Sequence, residues 1–343
     1  MINASEDFAA AEPVISVRGL VKRFPVRDSF SWLRPAGSVH AIDGLNFDIR
    51  RGETLGLVGE SGCGKTTTSR VLLRLLDSTA GEIRFCGQSV EKLRGNALRE
   101  FRTKVQIVFQ DPYASLDPRL RVEQLIAEPL VTSTNMSKLE RRQRVLELID
   151  MVGLPIEHIR RFPHQFSGGQ RQRIGIARAL ALNPTFLVCD EPVSALDISI
   201  QAQIVNLLQD LQQRLGITIL FVAHDLQVVR HISHRIGVMY LGRIVEIGDA
   251  KRIFTRPVHP YTQLLFASAP RLLRQGTGAP DSGQTRSEIP SPLSPPSGCH
   301  FHPRCPFATD VCRQQVPLLR EVDGRDVLCH NAEITQAAAA IEH

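Results

Sequence analysis

Residues 59–66 read GESGCGKT. In such an octapeptide Gly59 and Gly64 let backbone amides turn toward a phosphate, Lys65 reaches its outer oxygens, and the Thr66 hydroxyl is placed for magnesium. Two adjacent acids, Asp190 and Glu191, end the apolar run TFLVC. At the end of a buried strand beside a phosphate loop, Asp190 can orient magnesium and its waters, while Glu191 can face a γ-phosphate and polarise water for attack. The pentapeptide FSGGQ at 166–170 offers a second anion site. There Ser167 can cap the following helix, and Gly168 and Gly169 expose amides at its positive end. A further chemical feature is the set Cys299, Cys305, Cys312 and Cys329, separated by five, six and sixteen residues. Four thiolates can hold an iron–sulfur cluster or a structural zinc, but these gaps match neither ferredoxin patterns nor paired zinc-finger hooks, so spacing leaves cluster, zinc and unligated thiols open. His300, His302 and His330 could compete as ligands.

These groups need a scaffold, and the apolar pattern supplies one. Residues 14–22 and 41–58 read as strands, and the buried run TLGLV leads through the glycine-rich loop into a helix with apolar residues at Val71, Leu72, Leu75 and Leu76. Residues 119–152 carry a recurrent apolar face (Leu125, Ile126, Leu130, Val145, Leu148, Ile149) opposite RRQR, which predicts a helical insert. The strand–helix alternation resumes with TFLVCDEP, a helix around 199–214 and the strand ITILFVAHD, and implies a parallel sheet covered on both faces. Residues 236–247 predict a strand pair turning at Gly242. Gly, Ser and Pro then dominate 270–298, which reads as a linker or extended wrap.

Composition narrows the class. The 343 residues are 43% hydrophobic and 22% charged, ordinary globular usage, which argues against a disordered, collagen-like or coiled-coil chain. No apolar run reaches membrane-span length, and the acidic start MINASEDFAAAEP lacks the form of a secretory signal, so a cytosolic chain is expected. The net charge of +6 fits a polyanionic partner of any kind, nucleotide, nucleic acid or anionic lipid. Of the 41 basic side chains 35 are Arg and 6 Lys, so the ammonium kept at Lys65 matters: it suits a phosphate cradle better than a planar guanidinium. Seven cysteines, an odd number, argue against a disulfide framework. Cys63, Cys86 and Cys189 read as small packing residues.

Together the phosphate loop, the DE pair and FSGGQ make the chain resemble the nucleotide-binding subunit of ABC transporters. The family signature is usually LSGGQ, so Phe166 departs conservatively at a position expected to pack. The resemblance implies an α/β P-loop NTPase fold of the ABC type, with a RecA-like core, an antiparallel β subdomain and a helical subdomain at about 95–170. It places an ATP-binding domain over 12–260 and a C-terminal cysteine-containing extension over 261–343, with a Pro-rich linker at 270–298 and a cysteine cluster at 299–330. It implies ATP bound by Gly59, Glu60, Ser61, Gly62, Cys63, Gly64, Lys65, Thr66 and Thr67, with Phe24 stacking on adenine and Trp32 and His40 as its rivals. Ser167, Gly168, Gly169, Gln170 and Asp197 would serve the facing nucleotide of a second ATPase subunit, since one chain holds one set of motifs. Catalysis is expected from Glu191, His224, Lys65 and Gln110, and Mg²⁺ from Thr66, Gln110 and Asp190.

The runs QDPYASLDPR at 110–119, HPYTQLLFASAP at 259–270 and GCHFHPRCPFATDVC near the end look most like ATPases of dipeptide and oligopeptide importers. That class implies two integral membrane permeases, a related second ATPase, an extracytoplasmic solute-binding protein, and a peripheral place on the cytoplasmic face of the inner membrane. Relatives carrying nickel, glutathione or opines share these motifs. The same resemblance favours a 4Fe–4S cluster over zinc on Cys299, Cys305, Cys312 and Cys329. Two rivals are a soluble ABC-type ATPase acting on nucleic acid or ribosomes, which usually carries two cassettes in one chain, and an idle regulatory subunit, which no missing motif acid supports.

Overall fold

The computed structural model describes residues 12–27, 35–268 and 290–341. The expected linker at 270–298 therefore lies outside the described residues as far as 289, as does Trp32. In chain order the strands are β1 (Pro13–Arg27), β2 (Pro35–Arg50), β3 (Thr54–Val58), β4 (Ala80–Phe85), β5 (Gln88–Ser89), β6 (Val105–Val108), β7 (Phe186–Asp190), β8 (Thr218–Val222), β9 (Arg235–Tyr240), β10 (Arg243–Asp249), β11 (Leu319–Val322) and β12 (Arg325–Leu328). They form two sheets. One is antiparallel, in the order β2-β1-β4-β5; the other is mixed, in the order β11-β12-β10-β9-β3-β8-β7-β6.

The centre of the mixed sheet is parallel, with β3 between β8 and β9 and β7 beside β8. Every residue of β3, β7 and β8 is buried, as a parallel sheet covered on both faces requires. Successive residues alternate between two cores. Leu55, Leu57, Phe186, Val188, Leu220 and Val222 join the core beneath the antiparallel sheet. Leu187, Cys189, Ile219 and Phe221 face the other way, into the core of the helical insert and of the helices Gly168–Leu180 and Ile198–Leu215. The period-2 pattern of the strand thus decides which helix each residue meets.

The helical insert forms as expected, as Val122–Ser133 and Lys138–Met151. The second begins with a capping box: Ser137 Oγ accepts from the Glu140 amide at 3.3 Å, and a Glu140 carboxylate oxygen accepts from the Ser137 amide at 2.6 Å. The hairpin β9–β10 turns at Leu241 and Gly242, whose φ values are +40° and +81°.

The segment after residue 290 is built into the same sheet. β12 pairs with β10, Val327 opposite Glu246, and β11 closes the edge. Phe301 is buried against Tyr240 and Tyr261 at ring distances of 5.3 and 5.5 Å. Glu246 on β10 is fully buried and accepts from the amides of Val258 (3.0 Å) and His259 (2.9 Å) and from Arg325 Nη1 (3.3 Å). Burial pushes its carboxyl up, while these donors pull it down. The charge therefore ties β10, β12 and the start of the helix Pro260–Ala267 to one point.

His259 caps that helix, its Nδ1 accepting from the Tyr261 amide at 3.1 Å. Complete burial pulls its pKa from 6.5 down to about 3. Between those values the unfolded chain takes up a proton that the folded chain refuses, so stability present above pH 6.5 is lost as pH falls toward 3. The expected outcome is a fall in Tm on acidification from about pH 7 to 5 that is shallower in His259→Asn, which retains a capping oxygen. Equal slopes in thermal melts would remove His259 from the acid response.

Candidate active site

The loop after β3 enters the helix Lys65–Leu72 through three glycines with positive φ: Gly59 (+153°), Gly62 (+80°) and Gly64 (+110°). A Cβ on Gly59 would overlap the Met239 carbonyl oxygen, and one on Gly64 the Ala41 carbonyl oxygen. Only glycine fits at either position. Lys65 is buried, its ammonium donating to the carbonyls of Gly59 (2.8 Å) and Glu60 (3.1 Å). Cys63 lies behind it, and burial pushes its thiol up against the lowering effect of Lys65. Ser61 and Gly62 are exposed at the loop tip, and Thr66 and Thr67 are half-buried on the first helical turn.

β7 delivers the acids. Asp190 accepts from the Thr66 hydroxyl at 3.3 Å, and burial holds its carboxyl above the usual range, with Glu191 adding to the effect. Glu191 has φ +49°, a left-handed conformation that costs a non-glycine residue about 1–3 kcal/mol. Its amide is anchored to the Val222 carbonyl at 2.8 Å. One carboxylate oxygen, Oε2, accepts from Gln110 Nε2 at 3.0 Å and lies 3.5 Å from His224 Nδ1. Gln110 follows β6 and His224 follows β8, so three strand ends converge on Glu191. The arrangement can hold a cation at Thr66 and Asp190 and orient a water at Glu191.

The FSGGQ segment folds as its residue types demand. Ser167 Oγ accepts from the Gln170 amide at 3.3 Å, and Gln170 Oε1 accepts from the Ser167 amide at 3.1 Å, a reciprocal cap on the helix Gly168–Leu180. Phe166 is buried, 5.4 Å from the His158 ring, which accounts for an aromatic at that position. Gly169 permits contact with Ile200 on the helix Ile198–Leu215, which begins after the exposed Asp197. Farther along the FSGGQ helix, Arg171 stacks on Tyr113 at 3.7 Å and Arg178 donates to the Ser115 carbonyl at 2.8 Å, which couples this helix to the segment after Gln110. Phe24 lies half-buried on β1 with the Lys22 ammonium 4.9 Å from its ring. The His40 amide donates to the Pro292 carbonyl at 2.9 Å.

Residues 42–194 match the ABC transporter family, and residues 245–312 match the C-terminal region of oligopeptide/dipeptide transporters. The oligopeptide transport ATP-binding protein AppF of Bacillus subtilis is 47% identical over 324 residues, covering 94% of this chain and 98% of that protein. The chain belongs to the ABC transporter ATP-binding family. The di/tripeptide transport ATP-binding protein DppF of Pseudomonas aeruginosa is 46% identical over 94% of this chain and 98% of its own length. The ABC cassette MJ0796, solved as a dimer in a post-hydrolysis state bound to ADP and Pi, superposes with a TM-score of 0.61 at 30% identity, over 69% of this chain and 98% of that one. CbiO1 of Clostridium perfringens gives 0.62 at 29% identity over 71% of this chain and 91% of its own. The α/β P-loop NTPase fold and the ATPase activity expected from the motifs hold for this ABC subunit.

In the extension of this ABC subunit, burial and then neighbouring cysteines raise the pKa of Cys299, Cys305 and Cys329. Burial is the larger cause, and it pushes Cys305 up to about 11 and Cys329 up to about 12. The Asn331 amide donates to Cys329 Sγ at 3.4 Å. Among the described residues, however, no three His, Cys, Asp or Glu side chains gather as a group that could hold a metal ion. Neither a 4Fe–4S cluster nor a structural zinc therefore finds support in this arrangement. Nor do the histidines join the sulfurs: His300 Nδ1 lies 3.1 Å from the Leu241 carbonyl, His302 Nδ1 3.0 Å from the Cys299 carbonyl, and His330 Nε2 2.9 Å from the Gln315 carbonyl.

Two residues that hold the phosphate loop lie outside its motif. Tyr261 Oη accepts from the Glu60 amide at 2.9 Å, and Arg304 makes a two-point ion pair with the Glu60 carboxylate. Both stand in runs singled out only as markers of a transporter class, HPYT and HPRC. Gly64→Ala puts a methyl group into the Ala41 carbonyl at φ +110°, so this variant is expected to lose about 2–3 kcal/mol in urea denaturation and to bind no ATP in titration.

Proposed function

We propose that this chain is the ATP-hydrolysing subunit of an import complex for dipeptides, oligopeptides or related solutes. The convergence of Gln110 and His224 on one oxygen of Glu191, beside Thr66 and Asp190, carries the catalytic part. Cargo rests on relatives named for oligopeptide and di/tripeptide transport and on the matched C-terminal region. Among the described residues no helix is long and apolar enough to cross a membrane. The relatives named for peptide transport support passage through permease subunits, with this chain bound at their cytoplasmic side.

In this mechanism Lys65 and the loop residues 59–67 bind the triphosphate, and Thr66 and Asp190, with Gln110, would hold Mg²⁺. Glu191 orients and polarises the attacking water, and His224 contacts the γ-phosphate. Phe24 packs on adenine. Ser167, Gly168, Gly169, Gln170 and Asp197 serve the nucleotide of a second ATPase subunit, and an external solute-binding protein delivers cargo. The ATP unit spans 12–260 and the extension 261–343. For Cys299, Cys305, Cys312 and Cys329 the resemblance to peptide-importer ATPases supports a 4Fe–4S cluster, and the Asn331 amide on Cys329 Sγ at 3.4 Å is the kind of hydrogen bond its thiolates would accept.

Glu191→Gln is expected to bind MgATP as the wild type does while turnover in the assembled complex falls at least about 100-fold; wild-type turnover would refute its role. Anaerobically purified chain should be brown and contain iron, both lost in Cys305→Ser. A colourless chain with stoichiometric zinc would overturn the cluster.

A further inference from the structure

Glu60 is the second residue of a loop that must receive a triphosphate, and its carboxylate carries the wrong charge for that place. Arg304, 244 residues later and adjacent to Cys305, closes on it with both branches of its guanidinium: Nη1 donates to Oε2 at 2.9 Å and Nη2 to Oε1 at 3.1 Å. Such a fork is the strong form of an arginine–carboxylate pair. The side chains are only 10% and 27% exposed, so bulk water screens the pair weakly. The guanidinium also lies 5.8 Å from the ring centres of Tyr240 and Phe301. Its hydrogen bonds to Glu60 push its pKa still higher, so the cation is permanent.

The backbone of residue 60 is held by other groups. Tyr261 Oη takes its amide at 2.9 Å, and Lys65 takes its carbonyl at 3.1 Å. What Arg304 adds is charge. We propose that Arg304 is an electrostatic positioning residue of the ATP site, which cancels the Glu60 carboxylate so that the loop meets phosphate with the positive charge of Lys65 uncompensated. The proposal rests on residues 59–66 being the nucleotide site. It makes ATP affinity depend on the cysteine-bearing extension, and by linkage ATP holds that extension in place.

The test is the MgATP dissociation constant of the full-length chain, measured by isothermal titration at low and high salt. Arg304→Met is expected to weaken binding about tenfold at low salt and less at high salt, and adding Glu60→Gln to restore affinity to within about threefold of wild type. A folded Arg304→Met chain with wild-type affinity, or a loss that Glu60→Gln leaves untouched, overturns the proposal. Should Arg304→Met not fold, Arg304→Lys still decides: it retains the cation and must bind within about threefold of wild type, and a tenfold loss overturns the proposal. Lys65→Ala separates this from the underlying assignment. It abolishes binding if the loop is the nucleotide site, whatever Arg304 does, and ATP binding that survives it refutes the loop and the proposal together.

Discussion

The phosphate loop runs so close to two other strands that its backbone has no room for side chains at Gly59 and Gly64. That close approach is the constraint on which the rest depends. The Gly242 amide donates to the Cys63 carbonyl, and the Asp43 amide donates to the Gly242 carbonyl, both at 2.9 Å, so the loop, the β9–β10 turn and β2 are locked into one unit. A loop fixed by backbone on two sides presents its amides in one geometry and pays little reorganisation when an anion arrives.

Catalytic geometry follows from the same sheet. β3, β7 and β8 are parallel neighbours, so their C-terminal ends lie along one edge, where Lys65, Asp190, Glu191 and His224 all emerge. The strained φ of Glu191 is tolerated because its amide is anchored to β8 and its carboxylate to Gln110. The FSGGQ helix is likewise tied to the segment after Gln110 through Arg171 and Arg178.

The extension is part of this machinery. Buried Glu246 has no low-energy state unless Arg325 and the amides of Val258 and His259 reach it, and these come from β12 and from the turn into the next helix. Tyr261 on that helix then holds Glu60, and Arg304 reaches the same residue from the cysteine segment. A chain of buried polar contacts thus runs from the far edge of the sheet to the phosphate loop.

The sequence alone determined most of the nucleotide chemistry, because phosphate loops and capped helices are local: the glycines, Lys65, the DE pair and Ser167 lie within short segments whose conformation their own types dictate. Apolar periodicity likewise yielded β3, β7, β8, the β9–β10 hairpin and the helical insert, since each strand is a continuous buried run. It did not yield β6, four residues inside the 95–170 span that the resemblance gave to a helical subdomain, nor β11 and β12, whose half-exposed, charged residues carry no run to detect. Only the tertiary structure placed Arg304 on Glu60 and Tyr261 on its amide. An ion pair spanning 244 residues leaves no periodicity or spacing to find, and it exists because the extension adds strands to the sheet that bears the phosphate loop.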